Sequence, residues 1–379
     1  MLLKRKRVRR LLLLILGTAI VAEIVALTPT RLEDPKSNPE AADPTLFVQD
    51  LDPILAPGIP RKRIAEYSVE KFRYVSVNKG EKQWRIEAET AFLYHPEQLV
   101  HARNVTAYLY DANGKTTIVS GLEAKYFLNQ RDLEMFGQVK TLFPDGFEVN
   151  SEYLRYLPTT QHIEIPTRYL ATGSGHEEGN QLFHFSSKGL DYFMGKSQVH
   201  LLENVKVSLE KNPEPSKAGV FPLPSPKPAT IDTSVGVPNL TTIESDHCLI
   251  YRDQKLAKFT MNPYRPTASR FVHITQPTLF TKARRADLHY GDFSQVLQYL
   301  TAYDDVFIRE TGEGSKTLRY ATGGQADFDT HRDVIVISEF PQVYQDQDTV
   351  TGEVILMHRD TGIIEIEHSN AFSTGKDAE

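Results

Sequence analysis

The feature that most constrains this chain is a strand-and-turn unit that recurs with drift about every 30 residues, seen best at residues 118–157. Tyr126-Phe127-Leu128 forms a strand-like run, followed by the polar turn Asn129-Gln130-Arg131-Asp132. Leu133 and Met135 then share one face, a Gly137-x-Val139 step follows, and Pro144-Asp145-Gly146 turns the chain into Phe147 and Val149. Apolar and polar residues alternate with period two over runs of four to eight, and no helical period replaces them, which predicts half-buried β-strands joined by short turns. With 17 Tyr, 19 Phe, 22 Gly and 22 Pro the composition supplies both the strands and their turns.

Charge and hydropathy divide the chain. Residues 1–10 carry six Lys or Arg and no acid; the whole chain is −6, so removing these six charges leaves −12 on the remainder. An acidic body opposes nucleic-acid binding, which needs a basic face. The basic tip precedes Leu11–Leu27, apolar apart from Thr18 and Glu23. As a helix this segment spans roughly 25 Å, and the flanking cations hold their end in the cytoplasm. The expectation is one transmembrane helix at 11–27, with the bulk of the chain across the membrane from the cytoplasm; a cleaved signal peptide is the competing reading. Residues 28–63, with seven prolines and closing on Arg61-Lys62-Arg63, read as a tether. The single cysteine, Cys248, excludes an intramolecular disulfide and a thiolate metal cluster.

Two β blocks follow. In the first, 64–210, Trp84, Ile86 and Ala88 share a face, Val105, Ala107 and Leu109 share another, and Asp111-Ala112-Asn113-Gly114 reads as a hairpin turn. Ile163 and Ile165 alternate further on, and residues 171–181 read as a loop. Residues 211–240 hold seven prolines and read as a linker, or as a long loop on one continuous β structure. The second block, 241–375, echoes the first: Ala286-Asp287-x-x-Tyr290 follows Ala124-x-Tyr126, and Ala302-Tyr303-Asp304-Asp305-Val306 follows the Gly137-x-Val139 step.

Signals for catalysis are weak. His331-Arg332-Asp333 and His358-Arg359-Asp360 look like kinase triplets, but neither is followed by Asn at the required fifth position and no glycine-rich nucleotide loop precedes them. Gly173-Ser174-Gly175-His176-Glu177-Glu178 looks like a metal loop without a second histidine at ligand spacing. The expectation is a non-enzyme with no cofactor and no metal site.

Taken together, the amino-terminal segment, Trp84-x-Ile86-x-Ala88, Leu122-Glu123-Ala124, Gly137-x-Val139 and Gly189-Leu190…Leu202-Glu203-Asn204-Val205 resemble the LptC family, the membrane-anchored periplasmic component of lipopolysaccharide export. The second block resembles the LptA (OstA-like) family through Ile243-x-Ser245-Asp246, Ala257-x-Phe259, Ala286-Asp287, Ala302–Val306 and Arg359…Ile366-x-His368-Ser369. It departs from that family where Met261-Asn262-Pro263 replaces a Gly-Asn-Val step, and the chain departs from the LptC family in its length. The resemblance implies an all-β fold of two open, twisted β-jelly rolls, with separate grooves or stacked into one. It implies lipopolysaccharide as ligand, an inner-membrane ABC transporter of the LptB, LptF, LptG type as donor, and an LptA-like bridge protein joined by edge-strand pairing. The physics agrees: an acyl chain in water costs about 0.8 kcal/mol per exposed CH₂, and a rolled sheet offers a continuous apolar lining. The groove candidates are Trp84, Ile86, Ala88, Val105, Ala107, Leu109, Leu133, Met135, Val139, Phe147, Val149, Ile163 and Ile165. The same alternation builds an ordinary closed core. The alternative function is therefore an anchored β-repeat protein that binds envelope polysaccharide or protein.

Overall fold

The computed structural model describes residues 55–59 and 65–373, leaving aside 66, 79, 112–113, 178–179, 211–239, 291–298, 312–317, 330–331, 346–347, 360 and 369. The expected transmembrane helix, most of the tether and the proline-rich linker lie outside the described residues. No helix among those described is long and apolar enough to cross a membrane.

The described chain is a single antiparallel meander. Its first nine strands each pair with the next: β1 Tyr67–Asn78, β2 Glu81–Tyr94, β3 Leu99–Tyr110, β4 Thr116–Phe127, β5 Leu133–Leu142, β6 Phe147–Leu157, β7 His162–Glu177, β8 Asn180–Phe193 and β9 Gln198–Glu210. The meander continues beyond β9, but now most levels hold two short strands in line. These are β10 Leu240–Ser245 with β11 His247–Tyr251, β12 Leu256–Thr260 with β13 Val272–Thr275, and β14 Leu279–Ala283 with β15 Arg285–His289. Two long strands follow, β16 Tyr299–Thr311 and β17 Leu318–Asp329. The last levels are β18 Val334–Ser338 with β19 Gln342–Gln345, β20 Asp348–Thr351 with β21 Val354–His358, and β22 Ile364–Glu367 with β23 Asn370–Ser373.

Both β10 and β11 pair with β9, at Leu240↔Glu210 through Ser245↔Val205 and Cys248↔Leu201 through Tyr251↔Gln198. The described strands of the two sequence blocks therefore belong to one continuous sheet. A buried core runs along it without a break, from Trp84 to Met357.

The sheet folds over because its long strands are kinked near their middles. Asn104, Gln138, Asn204 and Asp305 have φ of 49°, 48°, 50° and 54°, the left-handed region. Each is followed by a valine (Val105, Val139, Val205, Val306) that is 2% exposed. Asn and Asp tolerate this region better than most residues, and such a bulge bends the strand so that inward positions resume beyond it. The sequence step noted at Gly137–Val139 and Asp304–Val306 is thus the corner of the roll. At Gly137 itself, φ is 73°, and a Cβ would come within 2.5 Å of Leu55 Cδ1.

The hairpins at Asp111–Gly114 and Pro144–Gly146 form where the sequence places them: Lys115 N–H donates to Asp111 Oδ1 at 2.7 Å, and Phe143 N–H donates to the Phe147 carbonyl at 2.8 Å. Residues 171–181 correct an expectation. They do not form a long loop, because Ala171–Glu177 continue β7 and Asn180 opens β8. Gly173, one of the glycines that suggested a loop, serves packing instead: a Cβ there would lie 2.0 Å from the ring of Phe185, which is buried.

Candidate functional site

The site is built from inward residues of β1–β5. A cavity of about 220 Å³ is lined by Phe72, Tyr74, Ile86, Leu93, Val100, Ala102, Ala124, Tyr126, Leu128 and Leu133, with no polar surface in its wall. One end is closed by an aromatic cluster: Trp84 lies 4.9 Å edge-on from Tyr126 and 5.3 Å from Tyr74. Burial pushes the Tyr126 hydroxyl above its usual range, with further upward contributions from Tyr74, so this wall holds no charge at neutral pH.

Of the thirteen groove candidates, Ile86 and Leu133 line this cavity. Trp84, Ala88, Val105, Ala107, Leu109, Met135, Val139, Val149, Ile163 and Ile165 are buried in the same apolar core, and Phe147 packs partly buried against it. Phe147 stacks 5.5 Å from Phe185. Sequence alternation missed eight of the lining residues. Phe72 and Tyr74 were hidden because Lys71, at φ 53°, shifts the inward parity within β1: Tyr67 and Val69 are 63% and 45% exposed, whereas Phe72 and Tyr74 point in. Val100 and Ala102 lie before the bulge of β3, and Ala124 and Tyr126 after that of β4, so their inward parity differs from that of Val105, Ala107 and Leu109 in β3 and of Val119 in β4.

The outer face of β4 carries a second arrangement. Glu123 and Lys125 are 5% and 7% exposed because the segment Leu55–Ile59 lies over them. The Glu123 carboxylate accepts the Leu55 N–H at 3.1 Å, the Ala56 N–H at 2.9 Å and, at 3.2 Å, His101 Nε2. Lys125 Nζ donates to the Pro57 carbonyl at 2.8 Å and lies 3.5 Å from Glu134. Burial holds the His101 pKa below its usual value against the upward pull of Glu123, so the imidazole is neutral near pH 7 and donates its Nε2–H.

Among the described residues no group of His, Cys, Asp and Glu is arranged to hold a metal ion. The triplet residues Asp333 and Arg359 face each other, with Arg359 Nη1 3.1 Å from Asp333 Oδ1. Arg359 also lies 3.5 Å from Glu310 and donates to Thr278 Oγ1 at 3.0 Å. This is an ion-pair network that joins turns.

Comparison with known proteins agrees with the sequence resemblance. The family described as "Lipopolysaccharide-assembly, LptC-related" matches residues 45–210, and the family described as "LptA/(LptD N-terminal domain) LPS transport protein" matches residues 241–363. Among solved structures, the chain is similar to Pseudomonas aeruginosa LptH, described as the LptA homologous periplasmic component of the conserved lipopolysaccharide transport device. That likeness is 13% identical, covers 36% of this chain and 95% of that one, and has a TM-score of 0.31. No curated protein matches the chain. The chain therefore carries an LptC-related lipopolysaccharide-assembly match at 45–210 and a second, LptA/LptD amino-terminal type LPS-transport match at 241–363.

Proposed function

We propose that this protein is an inner-membrane-anchored periplasmic scaffold that receives lipopolysaccharide from an ABC transporter of the LptB, LptF, LptG type and passes it along the inside of the roll to an LptA-like bridge protein. The observation that carries the reading is that a bridge-type domain continues an LptC-related one within a single sheet whose interior is apolar from end to end. Such an interior suits acyl chains, since each CH₂ kept from water is worth about 0.8 kcal/mol. The anchor is the basic-then-apolar segment at 1–27. The free edges support docking by strand addition. Among the described residues β1 pairs only with β2, and β22 and β23 pair only with β21 and β20. The protein acts without catalysis, and the energy for transport comes from the transporter.

A photo-crosslinking residue at Leu133, on the cavity wall, should give a lipopolysaccharide adduct in membranes, while the same residue at Glu134, on the opposite face, should give none. Absence of an adduct at Leu133, Ile86 and Phe72 in folded protein would overturn the reading. One observation favours the alternative of a closed-core scaffold that binds polysaccharide or protein: the cavity, at about 220 Å³, is smaller than the roughly 300–1,000 Å³ usual for ligand pockets. Lipid binding therefore requires the roll to open, and the same crosslinks separate the two readings.

A further inference from the structure

The open side of the roll is bounded by two rows of turns. In one row each turn is hydrogen-bonded to the next along much of its length: Met194 N–H donates to Gln161 O at 3.1 Å, Arg252 N–H to Ser197 O at 3.1 Å and Tyr290 N–H to Lys255 O at 3.1 Å. The turn that begins at Arg359 belongs to this row. The opposite row holds the turns Phe143–Gly146 and Gln276–Thr278. The two rows face each other along a seam, where Phe143 meets Tyr192.

Two arginines of the first row cross this seam. Arg252 pairs with Asp145 of the opposite row, donates to the Tyr192 hydroxyl at 3.1 Å and lies 5.6 Å over the Phe143 ring. Phe143 and Tyr192 also meet across the seam at 4.8 Å. Arg359 reaches Thr278 at 3.0 Å, and Glu310 beside it at 3.5 Å. With two strands in line counted as one level, Arg252 sits between levels 10 and 11 and Asp145 between levels 5 and 6; Arg359 sits between levels 16 and 17 and Thr278 between levels 11 and 12. Both crossings span the same offset of five levels, and each arginine is the first residue after its strand. They are equivalent positions of a drifted repeat. The apolar cavity is lined by residues from β1 to β5, ahead of the first crossing.

We propose that Arg252 and Arg359 are two equivalent seam latches, each of which opens to let a phosphorylated amphiphile pass and transiently exchanges its carboxylate for the amphiphile's phosphate. The proposal rests on the lipid-transfer reading above. A lipid with its acyl chains inside the roll carries its headgroup in the seam, and the headgroup cannot pass a closed crossing. A guanidinium pairs with phosphate by the same forked geometry that it uses for carboxylate, so exchange keeps the cation paired throughout.

The test uses the full chain with Cys248→Ala and a lipopolysaccharide carrying a fluorescent acyl label. Arg252→Cys with Asp145→Cys, bridged by a short bis-maleimide, should take up lipid at least tenfold more slowly than the same variant capped with a monofunctional maleimide. Asp145→Asn, which keeps the shape of the turn, should speed uptake severalfold. Removing the lipid's phosphates should slow uptake by the wild type severalfold, and Arg252→Gln combined with Arg359→Gln should abolish that difference. Equal uptake by bridged and capped protein, or a phosphate effect that survives the double substitution, would overturn the proposal while leaving the lipid-transfer reading in place. No uptake by wild-type or capped protein would overturn both.

Discussion

Replacing Glu123 with alanine should release Leu55–Ile59 from the sheet while leaving the roll folded. The carboxylate accepts two backbone N–H bonds from this segment, at 3.1 and 2.9 Å, in a site where the glutamate is 5% exposed. Hydrogen bonds to a charged group contribute about 1.5–3 kcal/mol each, so their loss removes roughly 3–6 kcal/mol from the docked state. If the segment stayed in place, both N–H groups would also lack partners. What would still hold it is the Lys125 bond to the Pro57 carbonyl and the burial of Ala56 and Ile59, together worth about 2–4 kcal/mol. The loss is comparable to or larger than what remains, and what remains must also offset the conformational entropy of ordering the segment. Local opening should rise by about two to four orders of magnitude. Hydrogen exchange at the Leu55 and Ala56 amides reads this directly, and Glu123→Gln, which keeps one acceptor oxygen without the charge, should fall between. Unchanged exchange at both amides in Glu123→Ala would refute the assignment of Glu123 as the group that holds the segment.

Other outcomes follow from the same geometry. Gly173→Ala should lower stability by about 1–3 kcal/mol in urea denaturation, because the new methyl group meets the buried Phe185 ring. Leu133→Ala should cost about 2–5 kcal/mol where the cavity is empty, and less in the presence of bound lipid, as read by the shift in melting temperature. Burial holds the pKa values of both His101 and His200 below the usual histidine value of about 6.5. The unfolded chain therefore binds more protons below that pH, and stability should fall as pH drops through about 6.5 and below, until the folded imidazoles titrate. His101→Gln and His200→Gln should each flatten that slope in denaturation midpoints taken between pH 7.5 and 5. Cys248 is buried, and burial pushes its thiol pKa well up, so it should react with a maleimide only on unfolding.

How much of this was legible in the sequence differs from one element to the next. Strands, turns and the inward set from Trp84 to Leu109 follow from period-two alternation, because alternate residues of a strand face opposite sides whatever surrounds them. The step at Gly137–Val139 and Asp304–Val306 was legible only as a repeat; that it is the bend of the strand, with Asn104, Gln138, Asn204 and Asp305 in the left-handed region before each Val, came from the structure. Alternation fails where a bulge changes its parity, which is why Phe72, Tyr74, Val100 and Tyr126 of the cavity wall were missed while Ile86 and Leu133 were found. Glycines misled at 171–181, since a glycine that makes room for Phe185 looks the same in sequence as one that makes a loop.

By itself, then, the sequence determined the all-β class, the positions of the hairpins, the apolar interior and the likeness of its two blocks, because these depend on residues close together in the chain. The tertiary structure alone decided that the blocks share one sheet, since the pairing of β10 and β11 with β9 spans a linker that carries no register of its own. It also decided that Glu123 and Lys125 face a docked segment 68 residues away, and that Arg252 and Arg359 cross the seam. Alternation sets which way a side chain points from its strand, but only the offset of the rolled sheet determines what it meets there.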